Sequence, residues 1–412
     1  MDFSHSPKCA DLLARMQRFL EEHVKPAERD ALRNWKPDSG DFRKWKVEPG
    51  VEALKDKARG EGLWNLFLPE GHGGLSNRDY APLAEAMGYY PLSPEIFNCN
   101  APDTGNMEVL LHYGSDAQKE QWLKPLLDGK TRSVFCMTEP DVASSDATNM
   151  QSRIIDAGDE VVVSGRKWWS TGIGHPNAKF AIFMGLTDLN ADRYARHSMV
   201  IVPLDAKGVK IERMLPVFGL YDPPYGHGEV SFDEVRLPKT NVIAGLGRGF
   251  EIAQGRLGPG RVHHCMRAIG AAERALTLMI ERAGARVAFG KPLINLGGNR
   301  DIIANARMEI DMARLLILKA AYLLDTSGVL SALSEVSQIK VVAPNVAARV
   351  VDAAIQIHGG QGFSMDTPLP LLYAYARALR MADGPDEVHR GVVARVELAK
   401  RKAQAGDRKS VV

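Results

Sequence analysis

Cysteine is scarce. Cys9, Cys99, Cys136 and Cys265 are the only four in the chain, they lie far apart, and no CxxC pair occurs. That excludes a disulfide framework and a thiolate zinc site as organising devices. Cys136, inside a β-type run, reads as a small buried residue. The histidines offer no metal set either, because His263, His264 and His358 lack ligand spacing to any His or Cys cluster. No metal is expected. No apolar run is long enough to cross a bilayer, so no membrane association is expected. Neither sign of charge dominates: 52 basic and 50 acidic residues leave a net charge of +2, which gives nucleic acid no general attraction. The basic cluster Lys400, Arg401, Lys402, Arg408 and Lys409 reads as a solvated terminus. No GxGxxG follows a strand-like run and no Walker sequence occurs; GGQG, Gly359 to Gly362, follows a helical run. The opening MDFSHSPKCADLLARMQRFLEEHV lacks the basic start and apolar block of a secretory signal. Glu21 and Glu22 argue against a mitochondrial presequence, so a cytoplasmic location is expected.

What is present is an ordinary globular composition, 45% hydrophobic and 25% charged over 412 residues, enough for two or three connected cores. Leu12, Leu13, Met16, Phe19 and Leu20 recur at helical spacing, with Pro26 as the expected end of that helix. GLWNLFLPEGHGGLS breaks the pattern before helical material resumes at Tyr80 to Met87. SVFCMTEP, EVVVSGRKWWST, KFAIFMGL, SMVIVPL and GEVSFDEVRLP are short β-rich runs separated by turn residues. Beyond them, Arg261 to Arg282, Ile302 to Leu324, Leu333 to Ile357 and Asp386 to Ala403 have the periodicity of four long helices. The expectation is an α+β chain: an N-terminal helical domain over residues 1–130, a middle β-sandwich or barrel over 131–245, and a C-terminal four-helix bundle over 246–412.

Three constellations, spread over four segments, carry candidate chemistry. FCMTEPDVASSD, Phe135 to Asp146, is a strand running into a loop of small residues, followed by SGRKWWSTG, Ser164 to Gly172. Hydroxyls and backbone N–H groups in such a loop can wrap phosphate, and an aromatic and a threonine on the next strand can flank a flat ring. By itself the pattern fits a β-turn with a buried tryptophan better. RLGPGR, Arg256 to Arg261, combines a flexible backbone with arginines near a helix start. MADGPDEVHR, Met381 to Arg390, sets Asp383 beside Gly384 ahead of a helix whose first turn holds Asp386 and Glu387.

Together these segments resemble the acyl-CoA dehydrogenases. The TEP-small-small-SD loop, the G-x-K-x-W-x-T strand, FGKPL at Phe289 to Leu293, QIHGGQGFS at Gln356 to Ser364 and the closing DGPDEVHR stand in that family's order. The resemblance covers essentially the whole chain. It implies FAD as cofactor, an acyl-CoA as substrate, an electron-transfer flavoprotein as acceptor, and a homodimer or homotetramer. It implies that Phe135, Met137 and Thr138 face the flavin, that Ser144 and Ser145 meet pyrophosphate, and that Ser145 also meets the substrate's phosphate region. Trp169 is expected to stack near the ring, with Ser170 beside it and Thr171 hydrogen-bonding its reactive edge. Arg286, Phe289, Gln356, Gly359 and Gly360 are expected to reach the FAD of a neighbouring subunit, and Pro385 and Glu387 to add cofactor contacts. Gly258, Pro259, Gly260, Arg261 and Gly384 are expected along the CoA ester, with Asp383 as the base that takes the α-proton.

The departures matter as much. Many members have Tyr-Glu-Gly-Thr where this chain has Ala-Asp-Gly-Pro. Aspartate is shorter by one methylene, about 1.5 Å of reach at most, and a misplacement of about 1 Å can cost roughly a hundredfold in rate. Gly297 stands where a glutamine is common, with Asn299 as its expected substitute. DGPDEVH most resembles the dehydrogenase portion of large animal proteins that also carry a kinase-like domain. Those relatives are associated with branched, long or 4-hydroxylated acyl chains, and a separately encoded kinase is conceivable. Two other readings stay open: a nitroalkane oxidase-like enzyme, which also uses an aspartate, and a DNA-associated flavoprotein, against which the near-neutral charge argues.

Overall fold

The first helix, α1 (Pro7–Phe19), starts where the Ser6 hydroxyl accepts from the Cys9 N–H at 3.1 Å and a proline occupies its first turn. Cys9, Leu12, Met16 and Phe19 form its buried face. Pro26 does not end the helix as expected. A π-helical stretch, Leu20–Val24, leads straight into α2 (Lys25–Arg33). Widening the helix ahead of a proline relieves the clash between its ring and the carbonyl one turn back. The computed structural model describes residues 4–33, 36 and 38–409, excluding the side chains of 257–259 and 403–409.

The order continues through α3 (Pro49–Gly60), α4 (Asn77–Gly88), α5 (Ser93–Ile96), α6 (Asp103–Tyr113), α7 (Asp116–Gln118) and α8 (Lys124–Leu127). The strands are β1 (Arg132–Cys136), β2 (Arg153–Asp156), β3 (Glu160–Thr171), β4 (Ala178–Leu186), β5 (His197–Pro203), β6 (Val209–Met214) and β7 (His227–Pro238). Then come α9 (Gly249–Ala285), a hairpin of β8 (Val287–Ala288) and β9 (Lys291–Pro292), α10 (Asn299–Ser331), α11 (Leu333–His358), α12 (Leu369–Leu379) and α13 (Asp386–Lys409). The expected order of helices, strands and helices is what forms. The chain divides into two compact units: Met1–Trp35, Leu66–Pro94 and Arg261–Val412 make a helical unit, and Lys36–Asn65 with Glu95–Gly260 make a sheet unit.

In the sheet unit the seven strands run β1-β4-β2-β3-β7-β6, with β5 pairing β4 antiparallel. β2 links the two halves, pairing β4 only at Arg153 with Leu186. Val134, Cys136, Ala181 and Phe183 from one half pack with Val161, Val163, Val230 and Phe232 from the other in one buried cluster. The alternating β-branched pattern of these runs supplies that inner face. α6 packs against β1.

In the helical unit α1 packs on α4, α4 on α10, and α11 on α10, α12 and α13. Arg314 grips Glu85 across α10 and α4 through contacts of 2.7–3.1 Å. α10 is interrupted at Gly328, whose φ of 77° and ψ of 176° only glycine adopts readily. α9 begins at Gly249 rather than at Arg261 as the Gly-Pro-Gly run had suggested. Ile252, Ala253, Val262, Cys265 and Met266 are all buried along it, and packing of that face overrides local propensity. All four cysteines are buried.

Candidate active site

Each unit holds one part of the expected constellation. In the sheet unit, the Thr-Glu-Pro loop is organised by a buried ion pair that sequence reasoning had not singled out. Lys167, fully buried on β3, donates to the Met137 carbonyl (2.9 Å), the Met184 carbonyl (2.7 Å) and Glu139 Oε1 (2.8 Å). Glu139 also accepts from the backbone N–H groups of Gln151 (2.8 Å) and Ser152 (3.0 Å). Burial pushes the Lys167 ammonium pKa down against the pull of Glu139. Burial raises Glu139, but Lys167 outweighs it and leaves that carboxyl below its ordinary value. The lysine in the G-x-K-x-W-x-T pattern thus ties the ends of β1, β3 and β4 together. The Ser144 hydroxyl is taken up inside the same loop: it accepts from the Glu139 N–H at 2.8 Å and reaches the Glu139 carbonyl at 3.3 Å. Ser145 is exposed.

The next strand breaks its own alternation. The β3–β7 register shifts between Lys167 and Ser170, and Trp169 takes a left-handed φ of 52°. A bulge of this kind re-aims side chains. Here the indole of Trp169 stands 42% exposed, while Ser170 turns inward to Cys136 Sγ at 3.4 Å. Trp168 anchors the bulge, its backbone N–H donating to the Thr138 carbonyl at 3.0 Å. Thr171 Oγ1 lies 2.9 Å from His227 Nδ1, and burial pushes His227 down to about 4, so this imidazole is neutral near pH 7. An exposed flat indole beside a threonine hydroxyl, held by a strained bulge, fits a planar ring with a hydrogen-bonding edge. Isoalloxazine is such a ring.

Phe135 is half-buried on β1, with the Arg256 guanidinium 3.9 Å from its ring centroid. Arg256 Nε donates to Asn106 Oδ1 at 3.4 Å, and a Cβ on Gly105 would meet the guanidinium at 2.9 Å. Burial pushes the nearby Glu108 carboxyl up to about 8, with Arg256 opposing. Asn106 and Glu108 were not expected, and Arg256, inside the RLGPGR segment, had no role of its own there. Every residue of α6 from Asp103 to Leu110 is buried, polar ones included, and no periodic pattern signals that.

In the helical unit Asp383 occupies the turn ahead of α13 at φ 55°, a left-handed position that Asp and Asn tolerate better than most residues. Gly384 follows at φ 101°, and a Cβ there would lie 2.9 Å from His389 Nε2, so glycine is required by both backbone and neighbour. The Asp383 carbonyl lies 3.1 Å from His389 Nε2 and accepts from Arg261 Nε at 3.4 Å. Its carboxylate Oδ2 lies 3.5 Å from His264 Nε2. The structure therefore brings Asp383, Gly384 and Arg261 together. Asp386 turns away, accepting from Asn345 (3.0 Å) and Arg380 (2.9 Å), and Glu387 is exposed beside Arg390. Pro385 is half-buried between them. Gly258 and Pro259 lie outside the residues whose side chains are described. Gly260 has nothing among the described residues within 4 Å of where a Cβ would stand.

The remaining expected residues sit on the surface of the helical unit. Phe289 and Gly290, at φ 51° and 75°, are the two-residue turn of the β8–β9 hairpin. The Phe289 ring is 96% exposed, and Arg286 is exposed at the foot of the hairpin. Gln356, Gly359 and Gly360 are exposed at the end of α11. Asn299 donates its amide to the Leu293 carbonyl at 2.6 Å, bracing the turn ahead of α10.

Comparison with known proteins agrees along the whole chain. Family models described as acyl-CoA dehydrogenase N-terminal, middle and C-terminal domains match residues 6–130, 134–235 and 247–398. Acyl-CoA dehydrogenase family member 11 of Gallus gallus is 52% identical over 398 residues, covering 96% of this chain and 51% of its own length. A Mycobacterium tuberculosis (strain ATCC 25618 / H37Rv) protein, provisionally named acyl-CoA dehydrogenase FadE2, is 51% identical over 98% of both chains. A Mycobacterium abscessus structure, provisionally assigned as an acyl-CoA dehydrogenase, is 61% identical with a TM-score of 0.94, covering 97% of this chain and 100% of its own. The chain spans about half the length of the animal family member 11 relatives.

Proposed function

The chain belongs to the acyl-CoA dehydrogenase family, and from that membership we propose that it desaturates an acyl-CoA thioester between Cα and Cβ with Asp383 as the base. The observation that carries this reading is the setting of Asp383: a carboxylate on a left-handed turn, 22% exposed, with Arg261 and His264 beside it. Thioester α-protons are weakly acidic, so the reaction needs a positioned carboxylate. Asp383 takes the α-proton, and the electron pair of that C–H bond becomes the new π bond as the β-hydrogen departs with its own pair. FAD, when bound, supplies the acceptor for that hydride. Met137, Thr138, Trp169 and Thr171 would hold its ring, Ser170 would brace the bulge from its buried side, Phe135 would stand on β1, and Ser144 and Ser145 would lie at the loop. Arg261, Gly260 and Gly384 would line the ester. An electron-transfer flavoprotein is the acceptor we assign for the two electrons. A second copy of the chain is the partner we assign to Arg286, Phe289, Gln356, Gly359 and Gly360, since an aromatic ring 96% exposed at a hairpin tip calls for a cover.

The test is anaerobic bleaching of bound flavin by acyl-CoAs from short to long, with 2-methyl and 4-hydroxy chains included. Asp383→Asn is expected to keep its flavin and bleach at least about a hundredfold more slowly. Bleaching at the ordinary rate would remove Asp383 as the base. Bleaching by nitroethane and by none of the thioesters would move the chain to nitroalkane oxidation.

A further inference from the structure

His264 offers no metal-ligand spacing in the sequence, yet its imidazole lies against the Asp383 carboxylate. His264 and Arg267 lie one turn apart on α9, and Arg267 Nη2 is 3.1 Å from His264 Nδ1. A guanidinium only donates, so Nδ1 must be the acceptor in this contact, and the imidazole proton belongs on Nε2. Nε2 is the atom that lies 3.5 Å from Asp383 Oδ2. That spacing exceeds a good hydrogen bond, and contacts of this kind commonly shorten when substrate closes a site. Arg267 is buried, which limits where its guanidinium can stand.

Among the described residues, the other charged and titratable groups that act on Asp383 include Arg261 and Cys265 on α9, Lys340 on α11, Tyr375 on α12 and His389 on α13, and Arg267 acts on Cys265 and Tyr375. Asp386 on α13 acts on Lys340. Lys340 is spent on the carbonyls of Leu379 (2.6 Å) and Gly384 (3.5 Å), which hold the turn's backbone. His389 and Arg261 contact the Asp383 carbonyl. Those contacts fix the main chain of the turn, whereas His264 faces the carboxylate itself.

We propose that His264, held as the Nε2–H tautomer by Arg267, is a positioning residue that orients the Asp383 carboxylate and tempers its basicity. This rests on Asp383 being the base. An aspartate reaches less far than a glutamate, so its carboxylate has less latitude for aiming, and an N–H set against one oxygen fixes the plane in which the other faces the α-carbon. An N–H donor to the ionised form also favours that form, so its removal raises the pH at which the base becomes effective.

The experiment measures the rate of anaerobic flavin reduction by an acyl-CoA from pH 5 to 9 in the holoenzyme and in His264→Leu, His264→Gln and Asp383→Asn. His264→Leu is expected to lower the plateau rate about tenfold and to move the acid limb upward by roughly half to one pH unit, with KM little changed. Glutamine carries an amide N–H near the place of Nε2–H, and His264→Gln is expected to restore much of both. The proposal is overturned if His264→Leu keeps the ordinary rate and limb while Asp383→Asn is inactive. It is equally overturned if leucine and glutamine lower the rate alike with the limb unmoved. Turnover in Asp383→Asn would instead remove the base assignment on which the proposal stands.

Discussion

Two groups of buried charge invite comparison. Under β1, Arg132 donates to Glu95 (2.7 Å) and Asn98 (2.7 Å) and lies 3.6 Å from Asp103, while Lys55 also pairs with Glu95. None of the charged side chains in this group is more than 6% exposed, and Asp103 additionally accepts from the Ser133 N–H and hydroxyl. Around Asp383 the same kinds of group gather, but the carboxylate and His264 remain 22% and 18% exposed. The first group is closed upon itself and fixes where β1 begins. The second holds its backbone rigidly and leaves its carboxylate facing solvent in part. Stability asks for the first arrangement and proton transfer for the second.

Breaking the closed group should have the largest effect. Arg132→Met strips Asp103 of its buried cation and leaves Glu95 to Lys55 alone, and is expected to cost roughly 3–5 kcal/mol, read by urea unfolding. A small loss would mean that water or a rearranged Lys55 compensates. Glu108 tests a buried acid held mostly by burial. Its folded pKa of about 8 exceeds the unfolded value of about 4.5, so the folded state binds the proton more tightly. Its contribution to stability is therefore present below pH 4.5 and lost as pH rises to 8. Glu108→Gln is expected to lose less Tm than the parent across that window, and parallel Tm curves would show that Glu108 is already ionised. Trp169→Leu tests the exposed bulge: FAD affinity is expected to fall by a factor of roughly 2–10 with Tm nearly unchanged, measured by fluorescence titration of the apoprotein. The smallest effect is reserved for the open group. Asp383→Asn should change stability by less than about 0.5 kcal/mol, since asparagine accepts the left-handed turn. A large loss would make Asp383 a structural anchor like Glu95.

Much of this architecture was legible because periodicity changes twice along the chain. The β-rich runs EVVVS and KFAIFMGL, bounded by turn residues, marked strands, and the 3.6-residue recurrence beyond Ile302 marked helices. Where the reading faltered, a local signal met a stronger distant one. Gly258 to Gly260 looked like a helix start, but the buried apolar residues on either side carry α9 through it. Pro26 looked like a stop, and a π-turn absorbs it. The bulge at Trp169 is invisible to a two-residue period, which cannot register one extra residue. The candidate site was legible as motifs, and Asp383, Gly384 and Arg261 do assemble. Lys167 as the tie among three strands, Arg256 over Phe135, and His264 before Asp383 were not legible. Each acts on a partner many residues away, and none has a spacing that sequence alone can interpret.

The four buried cysteines also give the protein a clock. Burial raises Cys9 and Cys136 to about 11 and Cys265 to about 12, so near pH 8 at most about one thiol in a thousand is ionised. Alkylating reagents should react with the native chain only as fast as its interior opens. The order in which Cys9 on α1, Cys136 on β1 and Cys265 on α9 become labelled would then time the opening of each element separately. Leu330→Cys, at a side chain 88% exposed, would react at once and set the zero of that clock.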